Sequence, residues 1–123
     1  TFAGRRCRFN LWESRYERSP PLPLKEAKEK YGEDLKRSYT YKALNRLIQG
    51  SAADMTKLAM IDLWKEGIVP HLQVHDEVDI SIESTEQANT VKRVMENCVK
   101  LAIPLLVDQE LGASWGEIKE VKT

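Results

Sequence analysis

Residues 71–80 read HLQVHDEVDI, and they set a histidine, an aspartate and a glutamate between two apolar runs. Leu72 and Val74 alternate with Gln73, and Val78, Ile80 and Ile82 alternate with Asp79, Ser81 and Glu83. A period of two is the signature of half-buried strands. A tight turn reconciles the polar triplet with its flanks: the stretch predicts a β-hairpin with His75-Asp76-Glu77 at its tip, lifted off the buried face and displayed. Two adjacent carboxylates on a rigid turn suit a divalent cation, because Mg²⁺ takes a few oxygen ligands and completes its shell with water and phosphate. Aspartate is equally favoured in turns for its own backbone hydrogen bonds, and a hairpin histidine is ordinarily solvated or packed. The triplet alone leaves both readings open.

On the C-terminal side, Ser84 predicts a helix cap, with Gln87 three residues on completing a capping-box-like pair. Ala88, Val91, Met95, Cys98 and Ala102 form an apolar stripe on that helix, Pro104 breaks it, and Leu105-Leu106-Val107 reads as a terminal strand. On the N-terminal side, apolar residues from Leu35 to Leu63 recur near helical spacing and predict one long helix over about 34–66, ended by Gly67. Gly50-Ser51-Ala52-Ala53 at its centre is a small-residue patch that either bends the helix or admits a close neighbour. Further upstream, a short charged helix over about 23–31 stops at Gly32, and Ser19-Pro20-Pro21-Leu22-Pro23 reads as a linker or extended arm. Residues 1–12 form a turn with a basic tip at Arg5, Arg6 and Arg8. The expected class is α+β: a junction over 1–33, then a body over 34–123 with long helix, hairpin, further helix and terminal strand.

Length and composition limit what such a body does. The 123 residues suit about one domain, and 41% hydrophobic with 31% charged residues is an ordinary folded balance. The formal net charge of zero hides an asymmetry: residues 1–50 carry 12 Lys/Arg against 6 Asp/Glu, and residues 51–123 carry 7 against 13. A basic half suits a polyanion and an acidic half suits cations, although solvated charge gives the same counts. Cys7 and Cys98 are isolated, matching neither a metal motif nor a disulfide framework, which fits a reducing compartment. No apolar run reaches the roughly 20 residues of a membrane helix, so no membrane partner is expected. The sequence opens on Thr1, without an initiator methionine and within what reads as folded sequence, which points to a truncated, processed or split product.

The order of elements narrows the reading. ALNRLIQGSAADMTKLAM (43–60), HLQVHDEVDISIES (71–84) and PLLVDQELGASWGE (104–117) together resemble the C-terminal part of family A DNA polymerases, the DNA polymerase I type, including a phage-like branch. TFAGRRCRF (1–9) is similar to the TxxGRRR segment that follows the fingers in that family, and residues 10–40 are the least distinctive. The resemblance implies that the hairpin is motif C of a polymerase palm and that Asp76 is one of two aspartates ligating two catalytic Mg²⁺ ions. It places Glu77 close to the metals in a supporting role, and His75 and Gln73 near the primer terminus. It also implies that Asn45 and Gln49 reach the template and the duplex minor groove, where amide donors test pairing geometry without reading sequence. Lys42, Arg46, Arg5 and Arg6 are the basic candidates for DNA contact.

The sequence departs from the family pattern where an arginine commonly precedes Asn45 by four residues; Tyr41 stands there, with Lys42 and Arg46 beside it. Either a neighbouring base takes over that contact or this branch holds DNA differently. The upstream DYSxxELR-like segment and the nucleotide-binding lysine and tyrosine of the fingers are absent from the 123 residues. The expected function is therefore the C-terminal palm part of a DNA-directed DNA polymerase, supplying one metal carboxylate and part of the primer–template cleft, and inactive alone. Primer–template DNA, deoxynucleoside triphosphates and the N-terminal remainder of the polymerase are the expected partners, in the cytoplasm of a bacterial or phage-infected cell. Two alternatives stand beside it: a non-catalytic assembly or DNA-binding subunit of a split polymerase, and a metal-dependent nuclease built on the same carboxylates.

Overall fold

The computed structural model describes residues 1–120, the side chain of Glu120 excepted. The chain is α+β, with small antiparallel sheets, three α-helices and two compact units, residues 1–51 and Ala52 onward.

The first unit is built on a three-stranded sheet in which β1 (Leu11–Ser14) lies between β2 (Leu22–Pro23) and β3 (Leu35–Arg37). Trp12 pairs with Leu22 on one side and Arg37 on the other, and Ser14 pairs with Leu35. The proline-rich stretch expected to be a linker or arm thus ends as an edge strand, where a proline's missing N–H leaves no ladder bond unmade. Ser14 organises the turn between β1 and β2: its hydroxyl accepts from the N–H groups of Tyr16 (3.4 Å) and Glu17 (3.3 Å), and its own N–H donates to Ser19 Oγ at 2.7 Å. The expected charged helix forms as α1 (Leu24–Tyr31), buries Ala27 and closes on Gly32, whose φ of 80° suits glycine and whose N–H donates to Lys28 O at 3.0 Å.

The long helix is shorter than expected. Leu35 and Tyr39 had read as its first apolar positions, but Leu35 is buried in β3, Tyr39 takes a left-handed φ of 62°, and a 3₁₀ turn over Thr40–Lys42 leads into α2 (Ala43–Lys65). Sheet pairing with β1 overrides helical spacing there, since a buried strand satisfies its backbone and its apolar side chain together. The small-residue patch of α2 is explained by close approach. Arg5 Nη2 donates to Gly50 O at 2.7 Å, the Phe2 N–H donates to Ser51 Oγ at 3.3 Å, and a Cβ on Gly50 would lie 2.8 Å from Thr1 Cγ2.

In the second unit α2 ends in a Schellman motif: Gly67, at φ 77°, donates to Trp64 O (3.0 Å), and Ile68 donates to Leu63 O (2.9 Å). Leu63 and Ile68, the hydrophobic pair of that motif, join Val94 as the core, with Val78, Ile80, Val91 and Met95 packed against it. The hairpin strands are β4 (Leu72–Val74) and β5 (Glu77–Asp79). α3 (Thr85–Asn97) starts as expected at Ser84, whose Oγ accepts from the Gln87 N–H at 3.2 Å while Gln87 Oε1 accepts from the Glu83 N–H at 2.7 Å.

Two expectations fail in the last third. α3 stops at Asn97 rather than reaching Pro104, with Asn97 Nδ2 turned back onto Arg93 O (2.7 Å) and Cys98 at the cap. Residues 105–107 form no strand; the Val107 N–H donates to the Glu96 carboxylate (3.1 Å) instead of to a neighbouring strand, and Leu106 is 78% exposed. The strands found there are β6 (Glu110–Leu111) and β7 (Lys119–Glu120), paired antiparallel. A Cβ on Gly112 would press on the backbone carbonyl of Glu117 and lie 2.7 Å from Ile118 Cα, so that pairing needs glycine there. Among the described residues no helix is long and apolar enough to cross a membrane.

Candidate functional site

The hairpin register is Leu72 with Asp79, Gln73 with Val78 and Val74 with Glu77, which leaves a two-residue turn of His75 and Asp76. Glu77 is therefore the first residue of β5 rather than part of the turn. His75 has φ 55°, and Tyr39 is the other non-glycine residue with positive φ among those described. Histidine tolerates this region better than most residues, at a cost of about 1 kcal/mol. Two bonds brace the turn: the Gln73 side-chain amide donates to His75 O, and the His71 N–H donates to Asp79 O (2.9 Å) at the hairpin base.

Alternation then sorts the side chains. Val78 and Ile80 pack on the Leu63–Ile68–Val94 core, whereas His75, Asp76 and Glu77 are exposed. The braced turn carries the acids into solvent, as the sequence suggested, but the core holds only one side of the hairpin: Leu72 (44%) and Val74 (36%) on β4, expected to be half-buried, are exposed among the described residues. Sequence reasoning missed Asp79. It is half-buried, and its Oδ2 has no hydrogen-bond partner among the described residues. It had read as a solvent-facing strand residue, and its position opposite Leu72 gave no sign of burial. Asp76, Glu77, Asp79, Asp108 and Glu110 all line one groove of about 1040 Å³ in this unit, whose walls include Met55, Val91 and Met95 and, among the described residues, no lysine, arginine or histidine. Its electrostatic character is acidic.

Cys98 borders the same groove and gives its Sγ to Met55 O at 3.7 Å. Burial, and secondarily the negative charge of Asp62, push its thiol above the ordinary range. That environment disfavours a reactive thiolate.

The helix candidates lie in the first unit. Asn45 and Gln49 are exposed on α2 and four residues apart, so they share a face about one turn apart; Arg46 is exposed beside them. Arg6 is exposed, and Arg5, also exposed, donates to Gly50 O as described above. Lys42 is half-buried, with Nζ 4.9 Å from the ring centroid of Tyr39 and 5.6 Å from that of Tyr41. This pairing was not foreseen, although a Tyr-x-Tyr-Lys run is its visible trace.

The carboxylates of Asp76 and Glu77 at the hairpin are oxygen donors, which suit a hard divalent cation. Among the described residues no group of three or more His, Cys, Asp or Glu side chains could hold a metal ion.

The family model for DNA polymerase family A matches residues 1–117. A DNA-directed DNA polymerase of Pseudomonas phage M6 is 39% identical over 116 residues, covering 94% of this chain and 14% of the relative. DNA polymerase I of Streptococcus pneumoniae is 42% identical over 86 residues, covering 63% of this chain and 10% of the relative. DNA polymerase theta of Drosophila melanogaster is 37% identical over 107 residues, covering 72% and 5%. The chain therefore spans between 5% and 14% of the length of these relatives. No solved structure matches the chain.

Proposed function

This chain belongs to DNA polymerase family A, and we propose on that premise that it is the palm part of such an enzyme that carries the HDE hairpin. In this reading it serves template-directed nucleotide transfer and is inactive without the rest of the polymerase. The observation that carries the reading is the hairpin itself: a strained, braced turn that presents Asp76 and Glu77 to solvent while its root is fixed in the core. A turn serving only to reverse the chain would use glycine or asparagine at its left-handed position and would avoid that strain.

Asp76 and Glu77 would hold part of a Mg²⁺ site; when bound, the two ions of a complete site stabilise the charge that develops during phosphoryl transfer. The residues of this chain contribute position. Gln73 fixes the His75 carbonyl and with it the direction of the turn. Asp76 is the ligand and Glu77 its neighbour, and His75 faces the primer end. Asn45 and Gln49 present amide donors to the minor groove of the duplex, and Lys42, Arg46, Arg5 and Arg6 offer positive charge to phosphates. Large apolar side chains left in solvent, such as Leu106, Leu44 (67% exposed) and Trp64 (66% exposed), support a larger assembly that covers them.

The test is primer extension with the chain alone and with a polymerase fragment that carries the upstream DYSxxELR-like segment. The chain alone should extend nothing and degrade nothing, and the mixture should extend. Asp76→Asn should then lower the extension rate by orders of magnitude with primer–template affinity kept, and Glu77→Gln should cost less. Extension by the chain alone overturns the partial-site reading, and nuclease activity alone would make the hairpin a hydrolytic site. A mixture indifferent to Asp76→Asn reduces the hairpin to a structural turn.

A further inference from the structure

We propose that Tyr41, backed by Tyr39 and Lys42, is a stacking platform for an unpaired base of a nucleic-acid strand, with Lys42 placed for the adjoining phosphate. The proposal rests on the reading of this chain as part of a DNA cleft and adds to it an element for the single-stranded portion of the substrate.

The platform is visible in the first unit alone. Tyr41 is 79% exposed, and the described ring contacts it makes are those with Tyr39 and Lys42. The rings of Tyr39 and Tyr41 stand 6.5 Å apart with planes inclined at 57°. The Lys42 ammonium lies against both, which holds a long, flexible side chain in one place. Tyr39 reaches this position only by adopting a left-handed φ of 62°, which a bulky aromatic residue rarely does and which argues for a purpose beyond chain reversal.

A flat apolar ring open to solvent beside an anchored cation is the pair of contacts a single strand needs: a face on which any base stacks, and a charge for the backbone. The surrounding charge agrees with a polyanion. From Lys36 to Ala53 the chain carries no carboxylate; Lys36 is paired with Glu13 (3.5 Å) and Arg37 lies over the Trp12 ring, so Lys42 and Arg46, four residues apart, carry the positive charge beside the platform.

Fluorescence anisotropy with three labelled probes tests this: a hairpin duplex with a short 5′ overhang, the same duplex with an abasic overhang, and the blunt duplex. Tyr41→Ala should weaken binding of the base-bearing overhang about tenfold and leave the abasic and blunt probes unchanged, with the urea midpoint unmoved. Tyr41→Phe should behave as the parent, because stacking does not use the hydroxyl. Lys42→Gln should weaken both overhang probes and lower the salt slope by about one. Binding of all three probes with Tyr41→Ala indifferent, or weakened equally for all, overturns the platform and leaves the cleft reading standing. A parent chain that binds none of the probes overturns the platform, while the cleft reading stands or falls on the extension assay with the remainder of the polymerase.

Discussion

The turn residue His75 offers the sharpest perturbation, because glycine and alanine there should reverse their usual order. In a paired strand glycine is less stable than alanine by about 0.5–1 kcal/mol, through its larger loss of backbone entropy. At φ 55° an alanine Cβ meets the following carbonyl and costs about 1–2 kcal/mol, a penalty glycine does not pay. The two terms oppose each other, and the second is the larger. His75→Gly should therefore be more stable than His75→Ala by about 0.5–1 kcal/mol, a urea midpoint shift of about 0.3–0.5 M for a chain of this size. Native-state amide exchange is the more local assay, read at the hairpin ladder and at His71, whose N–H donates to Asp79 O (2.9 Å). Gln73→Gly against Gln73→Ala, one position into β4, is the control and should show the ordinary order. Both His75 variants lack the imidazole, so any difference between them in the reconstituted extension assay reports backbone rigidity alone. The glycine variant, more stable but looser, should be the slower of the two. A glycine variant no more stable than the alanine one would show that the turn stores no strain and that strain plays no part in presenting Asp76.

Further outcomes follow from burial. Ser38 is 1% exposed and its hydroxyl has no partner among the described residues, so Ser38→Ala should be neutral or stabilising by up to about 1 kcal/mol. Ser14→Ala, which strips an acceptor from two turn amides, should cost about 1 kcal/mol, and urea unfolding of the two variants should separate them. Cys7 is exposed and should alkylate with iodoacetamide well before Cys98, whose thiol burial holds neutral. Because the Cys98 pKa is raised in the folded chain, its contribution to stability is full below the ordinary thiol value and is lost as pH rises through the folded value. Asp62→Asn should bring the labelling of Cys98 to lower pH, and equal labelling of both cysteines by peptide mass would contradict the burial.

What the sequence disclosed and what it hid divide along a physical line. The hairpin, the Ser84 cap and the Gly32 and Gly67 stops were legible because each rests on neighbours within a few residues: alternation, a hydroxyl three positions from an amide, a glycine where φ must be positive. β3 was misread as helix because Leu35 and Tyr39 stand at helical spacing, and the reason they do not form one is β1, which lies more than 20 residues upstream. The strand expected at 105–107 failed for the converse reason. Leu105-Leu106-Val107 has the composition of a strand, but a strand exists only with a ladder partner, and the described residues give Val107 a carboxylate instead.

The candidate site shows the same division in its chemistry. Asp76, Glu77 and His75 could be named from sequence because exposure at a turn follows from local pattern, whereas the half-burial of Asp79 depends on a groove whose walls come from α2, α3 and the 105–118 segment. That groove explains why the hairpin can keep three acidic residues within four positions. Val78 on β5 and Ile80 just after it pack on the core, and both carboxylates of β5 border the acidic groove, Glu77 exposed and Asp79 half-buried. Like charges this close repel, and the repulsion is relieved when a cation joins them. That relief is what the proposed partial Mg²⁺ site would supply, and Asp76→Asn or Glu77→Gln should lessen the repulsion in the chain alone.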